Sequence, residues 1–423
     1  MKTRPITFFI VIFCIILSAC QSPSASGKIS FMVFGDPAEL AAYQKLVDSF
    51  SQSHPDIQVE LIHIPGQSDY RKRVAADLVA GTPADVVLFN YRLYAPFASS
   101  GALEPLGSYL KNSKLIKEAD FYPQAMQAFK WQGEQTCIPQ NISSLVVYYN
   151  KDLFDQAGVA YPKAGWTWDD FTTTAQALTQ DTNGDGETDQ FGAGIAPELI
   201  RIAPFIWQVG GEIVDNESNP QVLTTGTAEA LHAAEFFFGL QTKLHVVPNL
   251  EQETSEDSET RFINGTLAMF FNSRRGVPTY RESARFDWDV SALPQDRKPA
   301  TILHADGFCI PSASKNKDTA WTFIEYANSP AGQTILAETG RTVPSLISVA
   351  NSPAFLVPNS KPASSQVFID VIPSIHVLPI HPNWGEIEEV ADNQIAQGFY
   401  GQIPYYDAMA NIANLTKEIL IGK

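Results

Sequence analysis

The chain has 423 residues, of which 44% are hydrophobic and 18% are charged. This length and composition allow a packed core and about two or three domains. The net charge is -17, and the sequence shows none of the basic footprint that nucleic-acid binders carry, which excludes nucleic acid as a partner. The acidity also disfavours a polyanionic ligand held by bulk charge.

The first twenty residues have the pattern of an export signal. Lys2 and Arg4 precede an apolar run of about a dozen residues, which has the length of a signal-peptide core and is too short for a membrane span. The sequence LSAC follows, ends at Cys20, and resembles the lipoprotein signal of bacteria. That resemblance implies a signal peptide over 1–19, which is removed before a lipidated Cys20.

A tether rich in Ser, Pro and Gly over 20–27 would join the lipid to the folded part. We therefore expect an extracytoplasmic protein that is held to a bacterial membrane through its lipid only. The alternative is a short uncleaved membrane helix, which the length of the apolar run disfavours. The compartment permits disulfides and leaves Cys137 and Cys309 in the folded part. Their alternative role is as two small buried hydrophobic residues.

The folded part begins with alternating strand and helix patterns. The predicted elements are strands over 28–35, 57–64 and 85–89 and helices over 38–53 and 70–80. This order predicts a parallel sheet in an α/β fold. Ligands of such sheets lie beyond the carboxyl ends of the strands, where Asp36, Asn90 and Tyr91 occur in this sequence.

The tripeptide Cys-Ile-Pro occurs twice, at 137–139 and at 309–311. The first copy leads into an apolar strand and the second into a polar helix start, so both mark element boundaries. The repetition suggests two crossings between the same pair of domains.

Six segments, taken in order, resemble one known family. They are GTPADVVLFNYRLYAPFASSGALEPL at 81–106, VVYYNKDLFDQAGV at 146–159, GWTWDDF at 165–171, GTLAMFFNSRRG at 265–276, GFCIPSASKNKDTAWTFIEYANSP at 307–330 and NWGEIEEVADNQIAQGFYG at 383–401. The family is that of the bacterial extracellular solute-binding proteins, the sugar receptors of ABC importers, which include maltose-binding protein. The resemblance runs from about Lys28 to the C-terminus.

The resemblance implies a type II periplasmic-binding-protein fold. Its two α/β lobes are discontinuous in sequence and are joined by a hinge, with the ligand cleft between them. We expect the first lobe over 28–138 and 310–365 and the second over 139–309 and 366–423. Both Cys-Ile-Pro tripeptides then fall at hinge crossings on adjacent strands, which makes a disulfide between Cys137 and Cys309 a further prediction.

The residues expected to bind ligand follow from the strand ends and from the resemblance. They are Asp36, Asn90, Tyr91, Asn141, Trp207, Arg274, Arg275, Asp306, Gly307, Arg341 and Trp384, with Phe34, Tyr94 and Ser143 as further candidates. Aromatic rings stack on sugar rings, although core packing is the alternative role of each tryptophan. The two neighbouring arginines either bind an acidic or phosphorylated sugar or form a solvated surface feature.

The segment DTNGDGETDQFG at 181–192 resembles an EF-hand calcium loop. Its candidate ligands are Asp181, Asn183, Asp185 and Asp189, with the main-chain carbonyl of Glu187. Gly192 stands where the loop normally has a bidentate glutamate, so another group would have to complete the site. The alternative is an acidic surface turn.

The resemblance implies a substrate-binding lipoprotein of an ABC importer. We expect it to act as a monomer, to capture a mono- or oligosaccharide by hinge closure, and to deliver it to the transmembrane permease without a catalytic cofactor. The alternatives are a secreted glycan-acting enzyme and a ligand sensor for a signalling receptor. Motifs of serine hydrolases, P-loop proteins and zinc proteases are absent from the sequence, which disfavours the enzyme.

Overall fold

The computed structural model describes residues 27–422. The predicted signal peptide, Cys20 and most of the predicted tether lie outside the described residues. Within the described part, no helix combines the length and the apolar character needed to cross a membrane.

Strands and helices alternate through most of the described chain. The strands are β1 (Gly27–Phe34), β2 (Ile57–Ile64), β3 (Val86–Asn90), β4 (Lys130–Trp131), β5 (Glu134–Gln135), β6 (Cys137–Pro139), β7 (Ser143–Ser144), β8 (Val146–Asn150), β9 (Met269–Asn272), β10 (Trp288–Ser291), β11 (Thr301–His304), β12 (Asp306–Cys309) and β13 (Ile375–His376). The helices are α1 (Pro37–Ser53), α2 (Gln67–Val79), α3 (Ala95–Ser99), α4 (Gly107–Asn112), α5 (Pro123–Gln127), α6 (Lys151–Ala157), α7 (Trp168–Ala177), α8 (Leu199–Gln208), α9 (Ala228–Thr242), α10 (Leu250–Ser255), α11 (Ser258–Asn264), α12 (Val277–Ser283), α13 (Lys317–Ala327), α14 (Pro330–Glu338), α15 (Ile347–Ala350), α16 (Pro353–Leu356), α17 (Val367–Asp370), α18 (Trp384–Phe399) and α19 (Tyr405–Leu420). Short 3-10 turns occur at Glu118–Asp120, Arg274–Gly276 and Ile372–Ser374.

A five-stranded sheet in the order β2-β1-β3-β12-β6 forms the first lobe. β1 is parallel to β2 and β3, which confirms the predicted strand–helix–strand–helix–strand unit. The sheet is mixed, because β12 runs antiparallel to both β3 and β6. The predicted parallel arrangement therefore holds for β1, β2 and β3, and the structure adds β12 in the opposite direction, where the chain re-enters from the second lobe.

Local sequence explains the first helix of this lobe. Asp36 lies directly before α1, and its side chain accepts a hydrogen bond from the amide of Glu39 at 2.9 Å. Such an N-cap satisfies an amide that the helix itself leaves unpaired. The helix then buries Leu46, Val47 and Phe50 on one side. The cap therefore fixes Asp36 in the short connection between the end of β1 and the start of α1.

The second lobe contains two three-stranded sheets in the orders β10-β8-β9 and β13-β11-β7. β8 is buried at all five positions because it lies between two antiparallel neighbours. Helices α8, α9, α18 and α19 pack against one another beside these sheets. Two α/β lobes were predicted, and the structure confirms this fold class; the residues at which one lobe gives way to the other stay a prediction.

The two Cys-Ile-Pro tripeptides contribute neighbouring strands at the passage between the lobes. Cys309 is paired with Cys137 across β12 and β6, and their Cα atoms are 4.4 Å apart. The two sulfur atoms form a disulfide, and both residues are fully buried. Only Ala305 separates β11 of the second lobe from β12 of the first. The two strands are therefore neighbours in the structure, as predicted.

The double variant Cys137→Ala/Cys309→Ala should lower the free energy of unfolding by about 2–5 kcal/mol, since the bond closes a long loop in the unfolded chain. The measurement is urea unfolding with and without dithiothreitol, with the double variant as the control for reductant effects. Equal stability of the reduced and oxidised parent protein would contradict this role of the bond.

Candidate functional site

A cavity of about 480 Å³ lies where the strands of the first sheet end. Phe34 ends β1, Pro65 follows β2, and Asn90 ends β3, and all three line the cavity. Ligand sites of open α/β sheets occupy this place because the loops that follow parallel strands diverge there. The second lobe closes the other side through residues of α8, β11 and the segment after β9.

The structure brings several predicted residues to this cavity. Those that line it are Asp36, Asn90, Asn141, Arg275, Asp306 and Arg341, together with Phe34 and Ser143. They come from segments far apart in sequence, which meet at the strand ends and at the crossings between the lobes. Whether each of them contacts a ligand stays a prediction.

Arg341 joins the two acidic groups near the start of α1. It donates to Asp36 at 2.7 Å and to Glu39 at 2.8 Å. Glu39 is 7% exposed, and burial raises its pKa to about 7, although the Arg341 charge opposes that shift. Burial raises the pKa of Asp36, but its hydrogen bonds and the Arg341 charge together outweigh this effect and lower the pKa. This pairing fixes the orientation of both carboxyl groups at the cavity.

Asp306 is held at the crossing between the lobes. Its amide donates to the Asn141 side-chain oxygen at 2.7 Å, and its carboxylate accepts from the Asn90 side chain at 3.1 Å. Desolvation raises the pKa of Asp306, while the Asn90 hydrogen bond acts in the opposite direction. An oriented carboxyl group with remaining acceptor positions is suited to binding hydroxyl groups.

The second-lobe side of the cavity carries positive charge. Arg201 is in the first turn of α8, Arg275 follows β9, and His304 ends β11. Desolvation, followed by the nearby charges of Arg201 and two other arginines, holds the pKa of His304 well below its usual range. Its imidazole is therefore neutral at pH 7.

Other predicted residues lie elsewhere. Tyr91 is fully buried, and its hydroxyl accepts from the amide of Leu378 at 3.3 Å. Trp384 is also fully buried and donates to Glu388 at 3.1 Å. Tyr94 is buried as well and does not line the cavity. The structure therefore gives these three aromatic residues a place in the core.

Arg274 and Gly307 are packed inside the protein and do not line the cavity. The Arg274 guanidinium lies 4.6 Å from the Phe355 ring centre and 4.9 Å from that of Phe368, and it donates to the Gly340 carbonyl at 2.9 Å. Gly307 lies so close to Phe129 that an added Cβ would be 2.8 Å from its ring. Close packing explains both positions.

Trp207 is 3% exposed and stacks on His376, with ring centres 4.7 Å apart. It lines a different cavity of about 310 Å³, next to Val377 and Leu378. The structure therefore does not bring Trp207 to the cavity at the strand ends.

Sequence reasoning missed four charged or titratable residues of the cavity, which are Glu39, Arg92, Arg201 and His304. One of them carried a usable signal. His304 precedes Asp306 by two positions, and in extended chain such residues point to the same side. Arg92 lies in a turn after β3, so this alternation does not apply to it. Glu39 and Arg201 lie in the first turns of helices, and only the packing of those helices brings them to the cavity.

The predicted calcium loop is an exposed turn closed by its own hydrogen bonds. Asp181 accepts from the amides of Gly184 and Gly186 at 2.6 and 2.8 Å, and these bonds lower its pKa. A Cβ added to Gly192 would collide with the Ala175 carbonyl, so a glutamate is excluded at the twelfth position. In the described residues no three His, Cys, Asp or Glu side chains are grouped as a metal site. The oxygen-only ligand chemistry is nevertheless that which calcium prefers.

We expect Arg341→Gln to lower the free energy of unfolding by about 3–5 kcal/mol, because it leaves buried Glu39 without its cation. The measurement is urea unfolding at pH 8. The matched control is Arg73→Gln, which removes an exposed pair with Asp77 and should change stability by less than about 1 kcal/mol. Adding Glu39→Gln to Arg341→Gln should restore part of the loss, and a further loss in that double variant would contradict the pairing.

Residues 35–334 match the bacterial extracellular solute-binding protein family. The chain is similar in structure to an ABC substrate-binding protein from Listeria monocytogenes in complex with cycloalternan. The TM-score is 0.85 at 24% identity, over 94% of this chain and 99% of that one. It is also similar to an ABC transporter solute-binding protein from Thermotoga lettingae bound with α-D-tagatose, with a TM-score of 0.81 at 23% identity over 93% of this chain and 100% of that one.

In sequence, the maltotriose-binding protein of Pyrococcus abyssi is 22% identical over 340 residues, which are 79% of this chain and 70% of that protein. The structural likenesses extend over both lobes, and the family match covers the strand ends, the crossings and most of the cavity residues. This protein therefore belongs to the bacterial extracellular solute-binding protein family.

Proposed function

We propose that this protein captures a carbohydrate between its two lobes and delivers it to the permease of an ABC importer. The observation that carries the proposal is the cavity at the strand ends, which both lobes line. Relatives of the same family and fold bind cycloalternan, tagatose and maltotriose, according to their names. Their common ligand chemistry is that of polyhydroxylated sugars.

The polar groups of the cavity support this chemistry. Asn90, Asn141 and Ser143 offer donors and acceptors, while Asp36 and Asp306 offer oriented carboxyl oxygens. Phe34 adds an apolar surface on which the face of a sugar ring can pack. Hydroxyl groups need such neighbouring donors and acceptors because an unpaired polar group in a closed site is costly.

Delivery would follow from lobe motion about the crossings. A ligand that contacts both lobes favours the closed arrangement over the open one, and a permease can then distinguish the loaded receptor by its shape. We further propose that Cys20 carries the lipid that holds the mature protein outside the cytoplasm, and that the protein acts as a monomer without catalysis. The lipoprotein pattern at 17–20 supports the anchor.

A thermal-shift screen of mono- and oligosaccharides tests carbohydrate capture. One sugar class should raise the melting temperature, with about 2.7 kcal/mol of stabilisation at a ligand concentration of 100 Kd. Asn90→Ala should weaken binding by about tenfold, whereas Asn411→Ala, at an exposed position on α19, should leave it unchanged. A screen without any stabilising sugar, or release of reducing ends from an oligosaccharide, would contradict the proposal.

We also propose that the loop at 181–192 binds calcium in a structural role. Three carboxylates and an amide oxygen within nine residues support this, since calcium prefers such oxygen ligands. Calcium should raise the melting temperature, and a chelator should remove the increase. Asp185→Asn should weaken the effect, and Asp257→Asn, which caps α11 elsewhere, should not. An unchanged melting temperature with calcium and with chelator would contradict the site.

A further inference from the structure

The charged residues of the cavity are divided between its two sides. We call Asp36, Glu39 and Asp306 the acidic wall, and Arg201, Arg275 and His304 the basic wall; all six line the cavity. The remaining residues on the side of the basic wall are Asn141, Ser143, Ile200 and Ser273, none of which carries negative charge. The basic wall is therefore without a lining carboxylate among the described residues.

Four arginines line the cavity, and two of them have close carboxylate partners. Arg92 donates to both oxygens of Glu388 at 2.5 and 2.6 Å. Arg341 donates to Asp36 and Glu39 at 2.7 and 2.8 Å. Their charges are neutralised within the protein, so neither needs an anion from outside.

Arg201 is different, because it is buried without a hydrogen-bond partner for two of its nitrogens. Arg201 is 8% exposed, and its Nε and Nη1 atoms have no hydrogen-bond acceptor in the described part of the chain. The carboxylate of Glu198 is 3.6 Å from Nε, which is beyond hydrogen-bond distance, and it is 41% exposed. Leaving a buried guanidinium unpaired is costly, and an anion bound beside it in the cavity would lower this cost.

Arg275 is also placed to bind an anion in this cavity. Its side chain is 55% exposed, and its contact with Glu259 is long, at 3.4 Å. Glu259 already accepts from the Tyr280 hydroxyl at 2.7 Å and from the Asn272 side chain at 3.2 Å. A weak exposed pair of this kind contributes little, so Arg275 is free to turn towards a ligand.

His304 adds an unused polar atom to the same wall. Its Nε2 is buried and has no hydrogen-bond partner among the described residues. His304 and Arg201 line the same cavity. A neutral imidazole that carries its proton on Nε2 donates a hydrogen bond to an anion without adding a charge.

We propose that the ligand is a sugar or polyol that carries one carboxylate or phosphate group, which binds Arg201, Arg275 and His304. Its hydroxyl groups would face Asp36, Asn90 and Asp306 on the opposite side. A guanidinium can donate to two oxygens of a carboxylate or of a phosphate, so the same residues could bind either group. A cavity of about 480 Å³ is larger than an inorganic anion requires, which favours an anion attached to a polyol. This inference rests on the proposed carbohydrate capture.

Isothermal titration calorimetry of the intact mature chain with matched ligand pairs tests the inference. The pairs are glucose with glucuronate, glucose with glucose 6-phosphate, mannitol with gluconate, and glycerol with glycerol 3-phosphate; inorganic phosphate is titrated alone. In at least one pair the acidic member should bind at least about tenfold tighter than the neutral one. Comparison of the carboxylate-bearing ligands with the phosphate-bearing ligands shows which anion the protein prefers.

Arg201→Gln should weaken binding of the preferred acidic ligand at least about tenfold more than it weakens binding of the neutral partner. Arg275→Gln, at a more exposed position, gives a second variant that does not depend on the folding of a buried substitution. Arg73→Gln, on the exposed side of α2, is the matched control and should change neither ligand.

The possible failures of the two proposals are distinguishable. Neutral sugars that bind as tightly as their acidic partners would overturn the anionic class and leave carbohydrate capture standing. Inorganic phosphate that binds as tightly as any acidic sugar would also overturn it, since the polyol would then add nothing. If no member of the panel binds while the thermal-shift screen finds a stabilising neutral sugar, the anionic class is overturned and carbohydrate capture stands. If that screen also finds none, both are contradicted.

Discussion

The position of Asp306 between the lobes is the constraint on which the cavity depends. Its carbonyl accepts from the Gln140 amide at 2.7 Å, and its own amide donates to the Asn141 side chain at 2.7 Å. Both main-chain polar groups of one crossing segment are thus bound to the other, and the disulfide lies a short distance along the same strands. Separating the segments would leave these groups unpaired. We therefore expect the lobes to rotate about the joined crossings.

This arrangement also organises the charge of the site. The joined crossings bring Asn141 and Asp306 to the cavity, where the Asp306 carboxylate is hydrogen-bonded to Asn90 of the first sheet. The two arginines that have close carboxylate partners lie on first-lobe segments, and the two without them lie on the second lobe. The division of charge is therefore a property of the two lobes taken together, and neither lobe shows it alone.

The errors of sequence reasoning concern side chains whose type suits both a core and a binding site. Trp384 and Tyr91 follow strand or loop ends, as ligand-binding aromatic residues do, yet both are fully buried. Arg274 and Arg275 are neighbours in sequence, but the first packs against two phenylalanine rings and the second lines the cavity. Neighbouring side chains in such a turn point in different directions, and sequence alone does not say which one faces the ligand.

By itself, the sequence determined the parallel strand–helix unit, the two-lobed fold class and the family, because apolar periodicity and ordered motifs are local properties of the chain. It also indicated the strand ends as the place of the site, where Asp36, Asn90 and Asp306 are found. Only the tertiary structure decided that Glu39, Arg92, Arg201 and His304 join them, and that two nitrogens of Arg201 have no hydrogen-bond partner within residues 27–422. The physical reason is that burial and charge pairing depend on contacts between segments far apart in sequence, which the packing of helices against the two sheets creates.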